Sequence, residues 1–376
     1  MKVVLGNHWC HTYRGGEKVL EQFRRLFPDA PLYTTFCRRG EIPDEILGND
    51  IRTTFLNWVP GISRFYRSLL PLFPLALRFK SVRGADVFVN SDASIFKAIR
   101  VKDAFHICYC HSPPRYIWEE GLGYFESGEF WNVVKKRILG FFKPYLKRFD
   151  LQGANKVDLF IANSEFVRRR IEKFYKKDAL VIYPPVGIER FKASGLHEDF
   201  YLIVSQIVPY KRVDIAVEAC KQLGRKLVVV GVGTELERLK EMADKNVEFK
   251  GRCSDDEVVD LMSRCIGFIY PQIEDFGITA VEAQSSGRPV IAYREGGACE
   301  TVLDGRTGVF FDEQTAASCS AAILQLESSM LDGRGNLREE TIKACRENSL
   351  RFGEDRFRQE VIEVLSEHCP SVLGRF

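Results

Sequence analysis

Short apolar runs alternate with longer mixed segments along this 376-residue chain, and no other feature limits its fold so tightly. That alternation is the mark of βαβ units and hence of a parallel sheet. Val3-Val4-Leu5 opens the first strand, a Gly15-Gly16 turn precedes a helix over residues 17–27, and further strands are expected at 86–90, 106–110 and 158–162. Tyr183-Pro184-Pro185-Val186 then breaks regular structure, and a polar stretch runs on to Glu198. A second series of strands follows, at 201–205, 226–231, 247–249, 267–270, 289–292 and 308–311, with helices at 213–223 and 257–264. An amphipathic segment at 353–368 closes the pattern.

Two series imply two domains. The fold class is therefore α/β, with two tandem Rossmann-like, doubly wound parallel-sheet domains facing a cleft. Their expected extents are residues 1–192 and 193–352, with 353–376 packing back on the first domain. Ligands of such sheets sit at the carboxyl ends of the strands.

Composition narrows the function class. Hydrophobic residues at 45% and charged residues at 28% describe a globular protein with substantial cores. A net charge of +3 gives no argument for nucleic acid. The cations are unevenly spread, however. Residues 51–83 hold six Lys and Arg and residues 130–149 another six, neither stretch containing an acid, and both interleave the cations with aromatic and aliphatic side chains. Such stretches suit a membrane surface carrying anionic headgroups, or they are solvated faces of a core. No apolar run reaches 18 residues, and Met-Lys-Val-Val-Leu-Gly-Asn-His is too polar for a signal peptide. The expected location is cytoplasmic, peripheral at the inner face of a membrane. The eleven scattered cysteines read as reduced thiols. Cys108, Cys110 and His111 lack a second Cys or His pair at zinc-like spacing, so no metal site is expected.

The chemistry concentrates at strand ends. Glu274 and Glu282 lie eight positions apart, either side of Gly277. A helix starting near Thr279 leaves Glu274 on the loop before it and Glu282 one turn inside. Its free N–H groups then suit a phosphorylated ligand, and the carboxylates can accept hydrogen bonds from sugar and ribose hydroxyls. The plainer reading is a surface helix with two acids. Ser205, Gln206, Lys211 and Arg212 close a strand and enter a helix. Cations at a helix start oppose its dipole unless an anion binds there. Gly231 and Gly233 make either a phosphate-approaching turn or a tight βα turn without a ligand. Gly296-Gly297 with Glu300 is another small-residue turn. Two prolines fix the loop that follows His111, which holds His111 and Arg115 at the surface or leaves the histidine in the core. Ser164 fits a helix N-cap.

Taken in order, these segments resemble retaining glycosyltransferases of the GT-B fold, specifically family 4. The likeness runs from Gly15-Gly16-Glu17 through His111-Ser-Pro-Pro-Arg115-Tyr116, Asn163-Ser164, Val208-Pro-Tyr-Lys211-Arg212, Gly231-Val-Gly233 and Glu274 to Glu282, ending at Gly296-Gly297 with Glu300. The His111 loop is similar to those of bacterial mannosyltransferases of lipid-linked polysaccharide assembly. The resemblance implies a catalytic set of His111, Lys211 and Glu274. It places the donor against Gly16, Ser205, Gln206, Lys211, Arg212, Gly231, Gly233, Arg252, Phe276, Gly277, Ile278 and Glu282. Arg115, Tyr116 and Ser164 are the acceptor-side candidates. No cofactor or metal is implied beyond a nucleotide-sugar donor, GDP-mannose first and a UDP-hexose second. The acceptor it implies is a polyprenyl-diphosphate-linked glycan.

One departure stands out: Gln206 occupies a position where the family commonly has arginine, so Arg212 or Arg252 would have to neutralise the diphosphate. Ala280 replaces a common proline. The rival readings are a non-catalytic GT-B protein and a sugar-nucleotide enzyme other than a transferase.

Overall fold

The computed structural model of the protein describes residues 2–119, 130–194 and 197–369, without the side chains of 130–136 and 138–139. In the basic stretch at 130–149 the side chains of 130–136 and 138–139 therefore lie outside what is described, as do residues 370–376 of the expected C-terminal segment. The chain divides into two units, one of residues 1–185 with 355–376, the other of residues 186–354.

The first unit is built on seven parallel strands: β1 (Val3–Asn7), β2 (Leu32–Thr34), β3 (Ile51–Thr53), β5 (Val87–Asp92), β7 (Phe105–Cys110), β8 (Leu159–Ala162) and β9 (Ala179–Val181). Their order is β3-β2-β1-β5-β7-β8-β9, and β4 (Ser81–Val82) pairs with β6 (Arg100–Val101) in a separate ribbon. The second unit has six parallel strands: β10 (Tyr201–Val204), β11 (Leu227–Val230), β12 (Val247–Gly251), β13 (Gly267–Tyr270), β14 (Val290–Tyr293) and β15 (Gly308–Phe311). They run in the order β12-β11-β10-β13-β14-β15. In each sheet the order reverses beside the first strand, between β1 and β5 and between β10 and β13. Both α/β sheets expected from the alternating runs are present.

Residue alternation explains why the runs are continuously apolar. Side chains of successive strand residues point to opposite faces, and helices cover both faces of a parallel sheet. Thus Tyr201, Ile203, Val229 and Ile269 enter one core of the second unit, while Leu202, Val228, Phe268 and Tyr270 enter the other. In the first unit Leu5, Val89 and Ile107 face one core. Val4 and Phe88 face a second, and Cys108 a third.

The helix Glu354–His368 belongs to the first unit. Its Phe357, Val361 and Leu365, four apart and so on one face, are buried in the core that holds Phe23 and Tyr109. The Phe357 ring lies 5.7 Å from each of those two rings.

Candidate functional site

In the second unit, Lys211 and Glu274, two of the expected catalytic residues, meet where the strand order reverses. Glu274 follows β13 and Lys211 follows β10, its neighbour, and their side chains form an ion pair. The two groups are only 16% and 24% exposed, so their charges meet where water screens them weakly. Lys211 ends the single 3-10 turn Pro209–Lys211, and Arg212 takes a left-handed backbone (φ +50°) before the helix Val213–Leu223. Glu274 is held from behind, because its carbonyl accepts a hydrogen bond from the Gly297 amide at 2.8 Å. The sequence turn Gly296-Gly297 therefore supports the Glu274 loop.

Phe276 is buried, and Gly277, left-handed at φ +98°, caps the helix Ile278–Ser285. A β-carbon on Gly277 would meet the Tyr270 hydroxyl at 2.7 Å. Glu282 lies one turn inside this helix and is buried. Its carboxylate pairs with Arg190 at 2.7 Å, and Arg190 also reaches Asp255 at 3.0 Å. Sequence reading missed Arg190, since 92 residues separate it from Glu282 and no local pattern connects them.

Gly231 and Gly233 have a packing reason of their own. A β-carbon on Gly231 would sit 1.8 Å from the Ser205 carbonyl oxygen, and one on Gly233 1.9 Å from that of Ile207. Only glycine lets the loops after β11 and β10 approach so closely. Ser205 is half-buried and Gln206 exposed. Of the two cations expected to compensate for Gln206, Arg212 is bound to Asp214 at 3.2 Å and to the Gln314 carbonyl at 3.4 Å. Arg252 is exposed, and the neighbouring Gly251 carbonyl accepts the Gly231 amide at 2.7 Å. Arg252 is thus the cation placed beside the Gly-Val-Gly turn.

In the first unit, the ends of β1, β5 and β7 bring other expected residues together. His111 Nε2 lies 2.7 Å from Ser91 Oγ, and its amide donates to the Asp92 carbonyl at 2.9 Å. Gly15 and Gly16, expected as a turn before the helix, are instead the first two residues of the helix Gly15–Leu26. A β-carbon on Gly16 would stand 3.8 Å from His111 Nε2, so this helix start and His111 share one corner. Next in the helix Glu17 is buried, and burial pushes its carboxyl up to about 7.

Of the acceptor-side candidates, Arg115 heads the short helix Arg115–Trp118 and is half-exposed. The Tyr116 hydroxyl is hydrogen-bonded to Ser94 Oγ at 2.8 Å. Ser164 is fully buried, and its Oγ accepts the Val167 amide at 3.0 Å as an N-cap.

Beneath this corner lies a buried ion cluster that sequence reading also missed. Lys97 Nζ sits 2.5 Å from Asp150 and 3.6 Å from Asp92. Trp118 Nε1 and the Tyr175 hydroxyl each donate to Asp150 at 2.8 Å. Burial alone would depress the lysine's pKa, but the two carboxylates outweigh it and hold the ammonium charged. The cluster pins the loop after β5 to the helix carrying Trp118, and so fixes what surrounds His111. Among the described residues, no three His, Cys, Asp or Glu side chains are grouped to hold a metal ion.

Residues 13–190 match the family described as Glycosyltransferase Family 4, and residues 188–348 match Glycosyl transferases group 1. An uncharacterized glycosyltransferase of Methanocaldococcus jannaschii is 31% identical over 199 residues, 52% of this chain and 55% of that protein. A GDP-mannose-dependent alpha-(1-6)-phosphatidylinositol monomannoside mannosyltransferase of Mycolicibacterium smegmatis is 28% identical over 201 residues, 45% of this chain and 53% of that one. The chain spans about half the length of the curated relatives it matches. Among solved structures, the Anabaena protein HepE in complex with UDP superposes with a TM-score of 0.69 at 18% identity, covering 98% of this chain and 100% of that one. Sucrose-phosphate synthase from Thermosynechococcus elongatus gives 0.72 at 16% identity, covering 99% and 100%.

Proposed function

We propose, for a chain that carries a family 4 domain followed by a group 1 domain on a GT-B fold, that it is a retaining glycosyltransferase. It moves a hexose, mannose first, from a nucleoside-diphosphate sugar to a lipid-linked glycan acceptor at a membrane surface. The observation that carries this reading is the Lys211–Glu274 pair at the order reversal of the second sheet. Breaking the bond between sugar and diphosphate builds negative charge on the departing phosphate. An ammonium fixed in a weakly screened position stabilises that charge in the transition state. Glu274 accepts from a hydroxyl of the transferred sugar, which releases Lys211 to turn toward the phosphate. Amides at the start of the Ile278–Ser285 helix favour the same anion, and Arg252 adds the charge that Gln206 lacks.

In this scheme Glu282, oriented by Arg190, receives the ribose. His111 stands on the acceptor side, with the helix start at Gly16 beside it. Attack from the leaving-group face within one ion pair accounts for retention without an enzyme nucleophile. The mycobacterial relative is GDP-mannose-dependent, which favours GDP-mannose here, whereas the Anabaena structure was solved with UDP.

Two linked measurements test the reading. GDP, UDP and their hexose conjugates are screened by thermal shift, where a ligand of the folded state raises Tm. Lys211→Ala is then assayed with the donor found. The expected outcome is a shift with one nucleotide family and a kcat loss of about 10²–10³. Absence of any shift would favour the non-catalytic alternative, and full activity in Lys211→Ala would remove the mechanism.

A further inference from the structure

An acceptor sugar needs a surface beside His111, yet Ser164 is spent as a cap and the Tyr116 hydroxyl is spent on Ser94. A different set of side chains supplies that surface. After β1 the chain runs His8-Trp9-Cys10-His11, and its rings meet Tyr66, the first residue of a 3-10 turn. The ring of Trp9 lies 4.7 Å from that of Tyr66, the ring of His11 4.9 Å, and that of Phe36 5.7 Å. Phe36 is fully buried, while Trp9, His11 and Tyr66 are each half-buried. The result is a shelf, closed below and open on one side.

The shelf is connected to the reacting corner. His8 Nδ1 lies 3.5 Å from the Ser91 carbonyl oxygen, and Ser91 Oγ lies 2.7 Å from His111 Nε2. The His8 ring is 4.3 Å from Trp9. One serine therefore joins the shelf to His111. Cations flank it as well. Arg67 lies over the Tyr66 ring at 5.8 Å, and Arg14 and Arg67, both exposed, add to burial in lowering the pKa of His11.

Aromatic faces pack against the C–H face of a sugar, and guanidinium groups bind phosphate through paired donors. We infer that Trp9, His11 and Tyr66 hold the acceptor's sugar or polyol ring, with Arg14 and Arg67 taking a phosphate attached to it. This rests on the transferase reading above and deepens it by naming the side chains that would hold the phosphate-bearing headgroup of the glycolipid acceptor. The lipid chain has a place to go. Phe65, Leu72 and Leu75 are exposed around the same turn, and Phe79 is 77% exposed just beyond it. A headgroup held at Arg67 lies at the root of that apolar surface.

The test uses the full chain and two soluble probes, a hexose 1-phosphate and glycerophosphoinositol, with free hexose and inorganic phosphate as controls. Calorimetric titration should show one probe binding about tenfold more tightly than either control. The hexose 1-phosphate winning points to a sugar on a terminal phosphate, and glycerophosphoinositol to a phosphodiester-linked polyol. Arg67→Gln should remove most of that tenfold gain, and Tyr66→Ala should weaken binding about three- to tenfold. Tyr66→Phe, which keeps the ring face, should bind as the parent does. The donor thermal shift, read in every variant, should be unchanged and also reports that each has folded. Probe binding that is unaltered in Arg67→Gln and Tyr66→Ala overturns the shelf. So does a parent protein that shifts with donor and binds neither probe. A parent that binds a probe without any donor shift leaves the shelf standing and sinks the transferase reading instead.

Discussion

Single residues carry most of the chemistry, and Glu17 shows how local burial sets a titration. Its carboxyl sits in the first turn of the Gly15–Leu26 helix and accepts the Arg14 amide at 3.0 Å. Burial nonetheless raises its pKa from 4.5 to about 7. A raised carboxyl binds more protons folded than unfolded, so its contribution is full below pH 4.5 and is lost as pH climbs through 7. The loss is on the order of 3 kcal/mol for a shift of this size. Glu17→Gln keeps the capping geometry and removes the titration. Urea unfolding from pH 4.5 to 8 should show a flatter pH profile for Glu17→Gln than for the parent. At this scale the sequence was legible where a motif is local: Glu274 precedes the helix Ile278–Ser285, Gly277 caps it and Glu282 lies one turn inside, as their spacing implied. Arg190 and the Lys97–Asp150 pair were not legible, because their partners lie 92 and 53 positions away.

Strands were readable where they form an apolar run of four residues or more. The strands of the second unit match their runs to within about a residue or two. Missed were β2, β3 and β9, each only three residues long, and the helices Ala316–Met330 and Glu339–Leu350. A three-residue strand gains its identity from its neighbours, so no run of its own announces it. The helix Glu354–His368 was readable from its four-residue period, and its packing makes a strong prediction. Phe357 is fully buried between Phe23 and Tyr109. Phe357→Ala should cost about 3–5 kcal/mol. The loss should fall on the first unit, so denaturation followed by that unit's tyrosines and tryptophans should shift while donor binding by the second unit persists.

For the whole molecule, the basic-apolar stretch at 51–83 is where the proposed membrane contact can be tested. No helix among the described residues is long and apolar enough to cross a membrane. Yet Trp58 is 81% exposed and Phe79 77%, with Arg64, Arg67 and Arg78 exposed nearby in sequence. Cations near an anionic surface gain about 1 kcal/mol each, and exposed rings add shallow insertion. Vesicles rich in phosphatidylglycerol should therefore pellet the protein at low salt, with a blue shift of Trp58 emission. Neutral vesicles should leave most of it in solution, and Phe79→Ser should weaken the anionic binding several-fold. Equal partition to both vesicle types would count against a charge-led contact.

Because residues 355–369 complete a core begun by residues 3–182, synthesis and folding run out of step. At ribosomal speeds of about 5–20 residues per second, the second unit is made whole while the first waits roughly ten to thirty seconds for its last helix. Until then Phe23 and Tyr109 present an open apolar face on a nascent chain. The part translated first is the part finished last, and a chaperone that shields such faces would meet this protein on the ribosome, at its amino-terminal half.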